Sequence, residues 1–538
     1  MSHRLWAPSK GFVTAVAVGL LCLVLLAVWP SAPESGSEDR VLRIAIPDDV
    51  ETVDPPFSHF QISNEVNFNI HDQFFSYGYE DTTQGYRLYN THQIRGDAVE
   101  AWQTSADEKT IVLNLRRDAR FAKTGNPVTA DDFIYWFERA KALKAGTWFN
   151  IATADIEDWQ KTGEYEVTLR FKKPNPFFFF LFRDQSQAPV EKAVLTRHAT
   201  EDDPWSTRWA ARNDAASGEY YVSRWIPGVE MTLEANPHYW AGPPYFQKVR
   251  LYIVPSSAGR ALLLARGAVD IAEQLGTLEI ENLRDVPGVR ITSVPTRTQY
   301  LVGLTNTQPP FTNKLVRQAL AYAVPYDAIL RDVFNGHSLK PEGPVPVKGQ
   351  FHDGSLWPYK TDYSKARELL AQAGLPEGFG FTLALSSGDP TAMELAVVLQ
   401  SSLRNIGVTM QIDPQTAAVF AERLDRHTHQ AWLRELLLYV DDPGYMGAFH
   451  YHSNAILNWM AYSNPEADRV FDEINLRWRP EDMEQKRQLT REVQKLIIAD
   501  APVLYLAEPN FNLAMRDDIE GYVHLPDKLV WYAPLRQR

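Results

Sequence analysis

Apolar and polar residues alternate at a period near two in six stretches of this chain. Val41 to Ile46, Thr110 to Leu115, Tyr165 to Phe171, Val229 to Glu234, Val249 to Val254 and Tyr300 to Thr305 combine that alternation with β-branched and aromatic residues, which predicts half-buried strands. Elsewhere the period lengthens to that of a helix. Phe133, Trp136, Phe137 and Ala140 fall on one face behind Thr129-Ala130-Asp131-Asp132, a capping threonine with an acid three positions on. The paired aspartates there read as a helix start, since the first turn favours acids for reasons of the helix dipole. Ser364 to Ala373 predicts a second helix, buried through Leu369 and Leu370 and ended by Gly374. Leu489, Val493, Leu496 and Ile497 predict another before Pro502. Phe381 to Leu385, a helical run from Met393 to Ile406 closed by Gly407, and Val408 to Ile412 stand in the order of a βαβ unit with parallel strands. Pro227-Gly228 separates Tyr220 to Trp225 from Val229 to Glu234 and predicts a hairpin, which Asn236-Pro237 then stops. No unit repeats, so solenoids are excluded and the fold class is mixed α/β.

At 538 residues the chain exceeds the roughly 250–300 residues at which one core stops growing, so two or more lobes are expected. The formal net charge of -13, with acids spread along the chain, opposes binding to a phosphate backbone and excludes nucleic acid as a partner. Cys22 is the only cysteine, which rules out an intramolecular disulfide and a thiolate metal cluster.

Arg4 and Lys10 precede an uncharged, mostly apolar run from Gly11 to Trp29, the order of an export signal. The chain is therefore expected in the periplasm or cell envelope. The exit from the run, Ala27-Val28-Trp29-Pro30, is a poor fit to a small-residue cleavage site, so the run also has the length to stay as a membrane anchor. Cys22 reads as a buried thiol in that run, not a lipidation site, and Pro33 to Asp39 as a flexible tether.

The most specific stretch is Ser217 to Trp240, SGEYYVSRWIPGVEMTLEANPHYW, followed by Lys248 to Leu251 and by Ala265 to Ala272. It resembles the extracellular solute-binding proteins of the peptide- and nickel-binding family, family 5, in which a Gly-Tyr-Val…Trp…Pro-Gly pattern opens a hairpin and a later Leu-x-x-Gly-x-x-Asp closes a helix. Leu42 to Pro55 is similar to the family's first strand with its Thr-x-Asp-Pro ending. Ala101-Trp102, Asp107 to Lys109 and Leu115 to Asp132 are similar to another block, and Tyr300 to Ala323, with Asn306, Pro310, Phe311, Arg317, Gln318 and Ala319, to a fourth.

The resemblance implies a two-lobed periplasmic-binding-protein-like fold, of the type II, large cluster C kind, with an extra domain inserted in lobe one. Its expected limits are 1–39 for signal or anchor and tether, 40–56 with 204–297 and 510–538 for lobe one, 57–203 for the insertion, and 298–509 for lobe two. It implies a monomeric substrate-binding component of an ABC importer, closing on a peptide or peptide-like solute and delivering it to a permease and its ATPases. In similar peptide-binding members an aspartate four residues before an acid-Pro step pairs with the ligand's α-ammonium. Here the step is Asp442-Pro443 and the position holds Tyr439, so either Asp441 or Asp442 takes over, or the solute is not a free-amino peptide. Trp432, Arg434 and Tyr439, just upstream, are cleft candidates by the same position argument.

His450 and His452 would share a face if they lay on a strand, but no third ligand stands at a recognisable spacing, and no metal or other cofactor is expected. Phe177 to Phe180 reads as buried core or hinge-side packing. No G-x-S-x-G, H-E-x-x-H or P-loop occurs, so no catalytic residue is assigned. A membrane-anchored sensor of a non-peptide solute and a periplasmic hydrolase are the competing readings.

Overall fold

The strand Val41–Ile46 (β1) buries Leu42, Ile44 and Ile46 in one core, as its alternation predicts, and Ala45 is buried too, in a second core on the opposite face with Ala261 and Leu264. This computed structural model describes residues 40–538 apart from 59, 176, 184–186, 439, 478 and 479. The apolar run Gly11 to Trp29 with Cys22, and the segment Pro33 to Asp39, lie outside the described residues. No described helix is long and apolar enough to cross a membrane.

After β1 the chain builds the hairpin Phe75–Asp81 (β2) and Arg87–Gly96 (β3). It then builds Val99–Thr104 (β4), Thr110–Leu115 (β5), Ile156–Gly163 (β6) and Glu166–Phe171 (β7), an antiparallel sheet in the order β4-β5-β7-β6. The helix Ala130–Leu143 starts where the Asp132 carboxylate accepts both the N–H and the hydroxyl of Thr129, each at 2.9 Å. Its face of Phe133, Trp136, Phe137 and Ala140 packs with Phe74, Phe178 and Phe182 into one aromatic core against the sheet.

Tyr220–Ile226 (β8) and Glu230–Ala235 (β9) form the expected hairpin, and Lys248–Ile253 (β10) continues the sheet to a central β1, parallel to both β10 and Ile271–Ala272 (β11). Gly228 sits in the turn at φ 75°, a left-handed conformation that costs glycine no side-chain clash. Its N–H donates to Asp49 at 2.6 Å, and the Trp225 indole N–H donates to the same carboxylate at 3.0 Å. The blocks Leu42 to Pro55 and Ser217 to Trp240 therefore hold each other. Asn236 closes the second block by donating to the Gly218 carbonyl at 2.9 Å, while its own side-chain oxygen accepts the His238 N–H at 2.8 Å.

From Val289–Pro295 (β12) the chain passes through Thr296 and Arg297 into Thr298–Leu304 (β13). Ser338–Leu339 (β14), Gly380–Ser386 (β15), Thr409–Gln415 (β16) and Ala431–Leu437 (β17) follow, and the long Val503–Arg516 (β18) comes last. β15 and β16 are parallel, with the helix Pro390–Leu403 between them and Gly407 at φ 74° before the second strand, so the βαβ expectation holds. Period-two alternation sorts the side chains. Val302, Leu304, Leu383, Leu385 and Leu433 face one core, and Leu301, Ala384, Trp432 and Leu436 face another on the opposite side.

One 12-stranded sheet runs β16-β15-β17-β13-β18-β11-β1-β10-β9-β8 with β12 and β14 beside β18. β18 pairs β13 through Val503 to Ala507, β14 at Glu508 and Pro509, and β12 through Asn510 to Arg516. Among the described residues, therefore, two segments carry the main chain between the sheet's two halves, the β12–β13 joint and the middle of β18. They are stitched together where the Thr296 hydroxyl donates to the Pro509 carbonyl at 2.8 Å and Gln299 Nε2 donates to Glu508 at 2.9 Å. The chain end folds back, with Val530 and Tyr532 donating backbone N–H groups to Glu65 and Asn69 of the helix Gln61–Ile70, each at 2.8 Å.

Candidate functional site

A cavity of about 740 Å³ opens between the inserted β-sheet segment and the half of the molecule built around β17. One wall is apolar: Ile94 on β3, Ile111 on β5, and Phe177, Phe179 and Phe180 around the short helix Phe178–Leu181. That turn divides the phenylalanine run. Phe178 is fully buried against Phe75, Phe171 and Phe182, as expected for core, whereas Phe177, Phe179 and Phe180 line the cavity.

Phe351, Gln350, Asn475, Met483 and Lys486 form the opposite wall with Asp441 and Asp442, which follow the carboxyl end of β17. Ligands of open α/β sheets gather at such strand ends. Each aspartate already has work to do. Asp441 accepts the Gln350 N–H at 3.2 Å and faces the Arg297 guanidinium at 3.8 Å. Asp442 caps the turn Pro443–Met446 by accepting the Gly444 N–H at 2.7 Å and is ion-paired with Lys486, whose side chain is almost fully buried. Burial pulls the Arg297 guanidinium below its ordinary value while Asp441 pulls it up.

Arg297 occupies the β12–β13 joint, so a residue of the crossing is ion-paired with Asp441 of the cavity wall. Two further ion pairs bridge the same region. Arg183 of the inserted segment meets Asp527 of the chain end at 3.1 Å, with both side chains buried, and Lys528 beside it pairs with Glu435 on β17. Lys528–Glu435 thus ties the chain end to the β17 half of the molecule, although Glu435 is more than a third exposed and solvent screening leaves such a pair little energetic weight.

The other residues singled out in the sequence lie elsewhere. Trp432 is 2% exposed and points into the second core, its indole N–H donating to the Trp459 carbonyl at 3.3 Å. Strand parity puts Arg434 on the same face, where its guanidinium lies 4.5 Å over the Trp459 ring. Neither is among the described residues that line the cavity. Tyr439 lies outside the described residues. A Cβ built on Gly303 would overlap the Trp432 indole, so Gly303→Ala is expected to destabilise the protein by about 1–3 kcal/mol through overpacking. An unchanged urea midpoint would contradict that tight packing.

The two histidines need a correction. Residues Gly447–Tyr451 form a wide helical turn, not a strand, so His450 and His452 project apart. His450 is buried, and burial, aided by Arg434, pulls its pKa down to about 3. His452 turns instead toward Asp468 and Asp472, at 3.9 and 3.6 Å. Among the described residues no group of three or more His, Cys, Asp or Glu side chains is arranged to hold a metal ion.

Arg297, Gln350, Phe351 and Lys486 were not singled out by sequence reasoning. They come from three different segments, and no local pattern marks any of them as facing Asp441 or Asp442.

A model of the bacterial extracellular solute-binding proteins, family 5 Middle, matches residues 93–458. The chain is 26% identical over 513 residues to the probable D,D-dipeptide-binding periplasmic protein DdpA of Escherichia coli, covering 94% of this chain and 96% of that protein. It is 24% identical over 530 residues to the glutathione-binding protein GsiB of Pectobacterium atrosepticum, covering 95% and 96%. Its fold is similar to that of the periplasmic binding protein DppA of Helicobacter pylori in complex with the peptide STSA, with a TM-score of 0.78 at 22% identity over 92% of this chain and 98% of the other.

Proposed function

The chain belongs to the family 5 bacterial extracellular solute-binding proteins, and from that premise we propose that it is the solute-capturing component of an ABC importer. It closes two hinged lobes on a peptide or peptide-like solute and presents the closed form to a membrane permease and its ATPases. The observation that carries this reading is the cavity shared by Phe177, Phe179 and Phe180 on one side and Gln350, Phe351, Asp441 and Asp442 on the other, beside a joint of only two chain crossings. Few crossings leave a hinge few dihedrals to change, which is how lobes of this kind open and close.

The lobe limits proposed are 40–56, 204–297 and 510–538 for lobe one, 57–203 for its insertion and 298–509 for lobe two. The chain acts as a monomer in the periplasm, exported by its N-terminal segment, which serves as an anchor where it is not cleaved. Its relatives' printed names describe binding proteins for a D,D-dipeptide and for glutathione, and that supports a short peptide-like solute here. Binding, not turnover, is the activity proposed.

The test uses protein stripped of bound solute by denaturation and refolding. Small-angle scattering is recorded before and after adding the low-molecular-weight fraction of a cell extract, and the bound compound is identified by native mass spectrometry. A smaller radius of gyration, with the compound recovered intact, is expected. No compaction at saturation would sink hinge closure, and recovery of a cleaved product would sink the binding-only reading.

A further inference from the structure

The charges at the cavity are spent on one another. Asp441 is held by Arg297 and the Gln350 N–H, and Asp442 by Lys486 and the Gly444 N–H. Glu108, on the β4–β5 turn at the same cavity, also has an intramolecular partner. A ligand ammonium that drew Asp441 or Asp442 to itself would strand a guanidinium or an ammonium in a poorly solvated site, and an unpaired buried charge is far costlier than the pair it came from.

What the cavity leaves open is neutral. Its remaining side-chain polar groups are the amides of Asn175, Gln350 and Asn475 and the hydroxyls of Thr104 and Ser105, although Asn175 is already bonded to the Thr153 carbonyl and the Phe177 N–H, and Ser105 to Asp107 and the Thr110 N–H. The Asn475 side-chain oxygen is buried with no hydrogen-bond partner among the described residues, an acceptor that an amide N–H would satisfy. Around these groups stand Phe179 and Phe180, both half-buried, with Phe177 and Phe351 already buried beside them, and the two half-buried rings reward burial of an apolar group.

We infer that the cleft selects peptide-like solutes whose amino end is uncharged, acylated or otherwise amide-like, and which carry an aromatic or branched aliphatic group for the phenylalanine wall. This rests on the solute-capture reading and narrows its ligand class. The pairing of Asp441 and Asp442 is what favours an amide over an ammonium, and the unmet acceptor of Asn475 calls only for an N–H donor.

Isothermal titration at pH 7 with N-acetyl-Phe-Ala, Phe-Ala and N-acetyl-Ala-Ala tests it. N-acetyl-Phe-Ala is expected to bind at least tenfold more tightly than either of the others. Phe180→Ser should remove most of its advantage over N-acetyl-Ala-Ala. Arg297→Gln, which releases Asp441, should narrow its advantage over Phe-Ala, with circular dichroism confirming that both variants fold. Equal or tighter binding of Phe-Ala by the unaltered protein overturns the uncharged amino end while leaving solute capture intact. Equal binding of the two acetylated peptides overturns the apolar preference. Binding of none of the three overturns the inference as a whole, and the scattering experiment then decides capture separately.

Discussion

Arg139→Met is expected to destabilise the protein by about 3–5 kcal/mol, because it leaves a buried carboxylate without its partner. The Arg139 guanidinium, on the helix Ala130–Leu143, meets Asp54 in a two-pronged ion pair at 2.7 and 2.6 Å, with the two side chains only 2% and 1% exposed. Its Nε also donates to the Trp205 carbonyl at 3.1 Å. The pair joins the segment that follows β1 to the inserted segment and to the stretch that leads back to β8. Asp54 is the acid of the Thr-Val-Asp-Pro sequence, so the conformation of that motif is secured 85 residues away. Replacing both partners, with Asp54→Asn added to Arg139→Met, removes the stranded charge and is expected to recover much of the loss. The measurement is chemical denaturation followed by tryptophan fluorescence. A single variant within 1 kcal/mol of the unaltered protein would show that Asp54 finds water or another donor.

Legibility of the chain divides along the range of the forces involved. The hairpin about Pro227-Gly228, the helix begun by Thr129 and Asp132, and the parallel unit of β15, Pro390–Leu403 and β16 were all readable, because turn chemistry, capping and periodicity act within a few residues. The cavity was only partly readable. Asp441 and Asp442 could be found from the acid-Pro step, yet their engagement with Arg297 and Lys486 spans more than forty residues of sequence and leaves no local trace.

Errors of face had a similar origin. Trp432 and Arg434 were placed in the cleft by position along the chain, but the parity of β17 turns both toward the second core. Phe178 and its neighbours could not be separated without knowing that the helical turn buries Phe177 and Phe178 and leaves Phe179 and Phe180 half-buried at the cavity. His450 and His452 would share a face only on a strand, and the helical turn at Gly447–Tyr451 sets them apart.

The melting temperature is expected to fall as pH rises from 6.5 to 8. Burial pushes Glu219 up to about 8 and Glu65 and Asp97 up to about 7, and it raises Glu273 and Asp72 well above their usual range. Glu219 accepts the Trp531 indole N–H at 3.0 Å, and Glu65 is bonded to the Tyr532 hydroxyl and the Val530 N–H. In the unfolded chain these carboxyls lose their protons near pH 4. Above that the folded protein holds more protons than the unfolded one, so its stability falls with rising pH until each folded pKa is passed.

Buried histidines act in the opposite sense at lower pH. Burial pulls His71 down to about 4 and His450 and His524 to about 3. Between pH 4 and 6.5 the unfolded chain therefore protonates imidazoles that the folded protein keeps neutral, which offsets part of the carboxyl effect. Above pH 6.5 that offset fades, while Glu65 and Asp97 begin to lose their protons in the folded protein near pH 7. Each carboxyl still protonated in the folded state then removes about 2 kcal/mol over the next 1.5 pH units. Glu219→Gln keeps an acceptor for Trp531 and removes the titration, so it should flatten the slope between pH 6.5 and 8 while changing the melting temperature at pH 5 little. A melting temperature that rises from pH 6.5 to 8, or a slope indifferent to Glu219→Gln, would mean that these carboxyls are charged in the folded protein and that water or a cation reaches them.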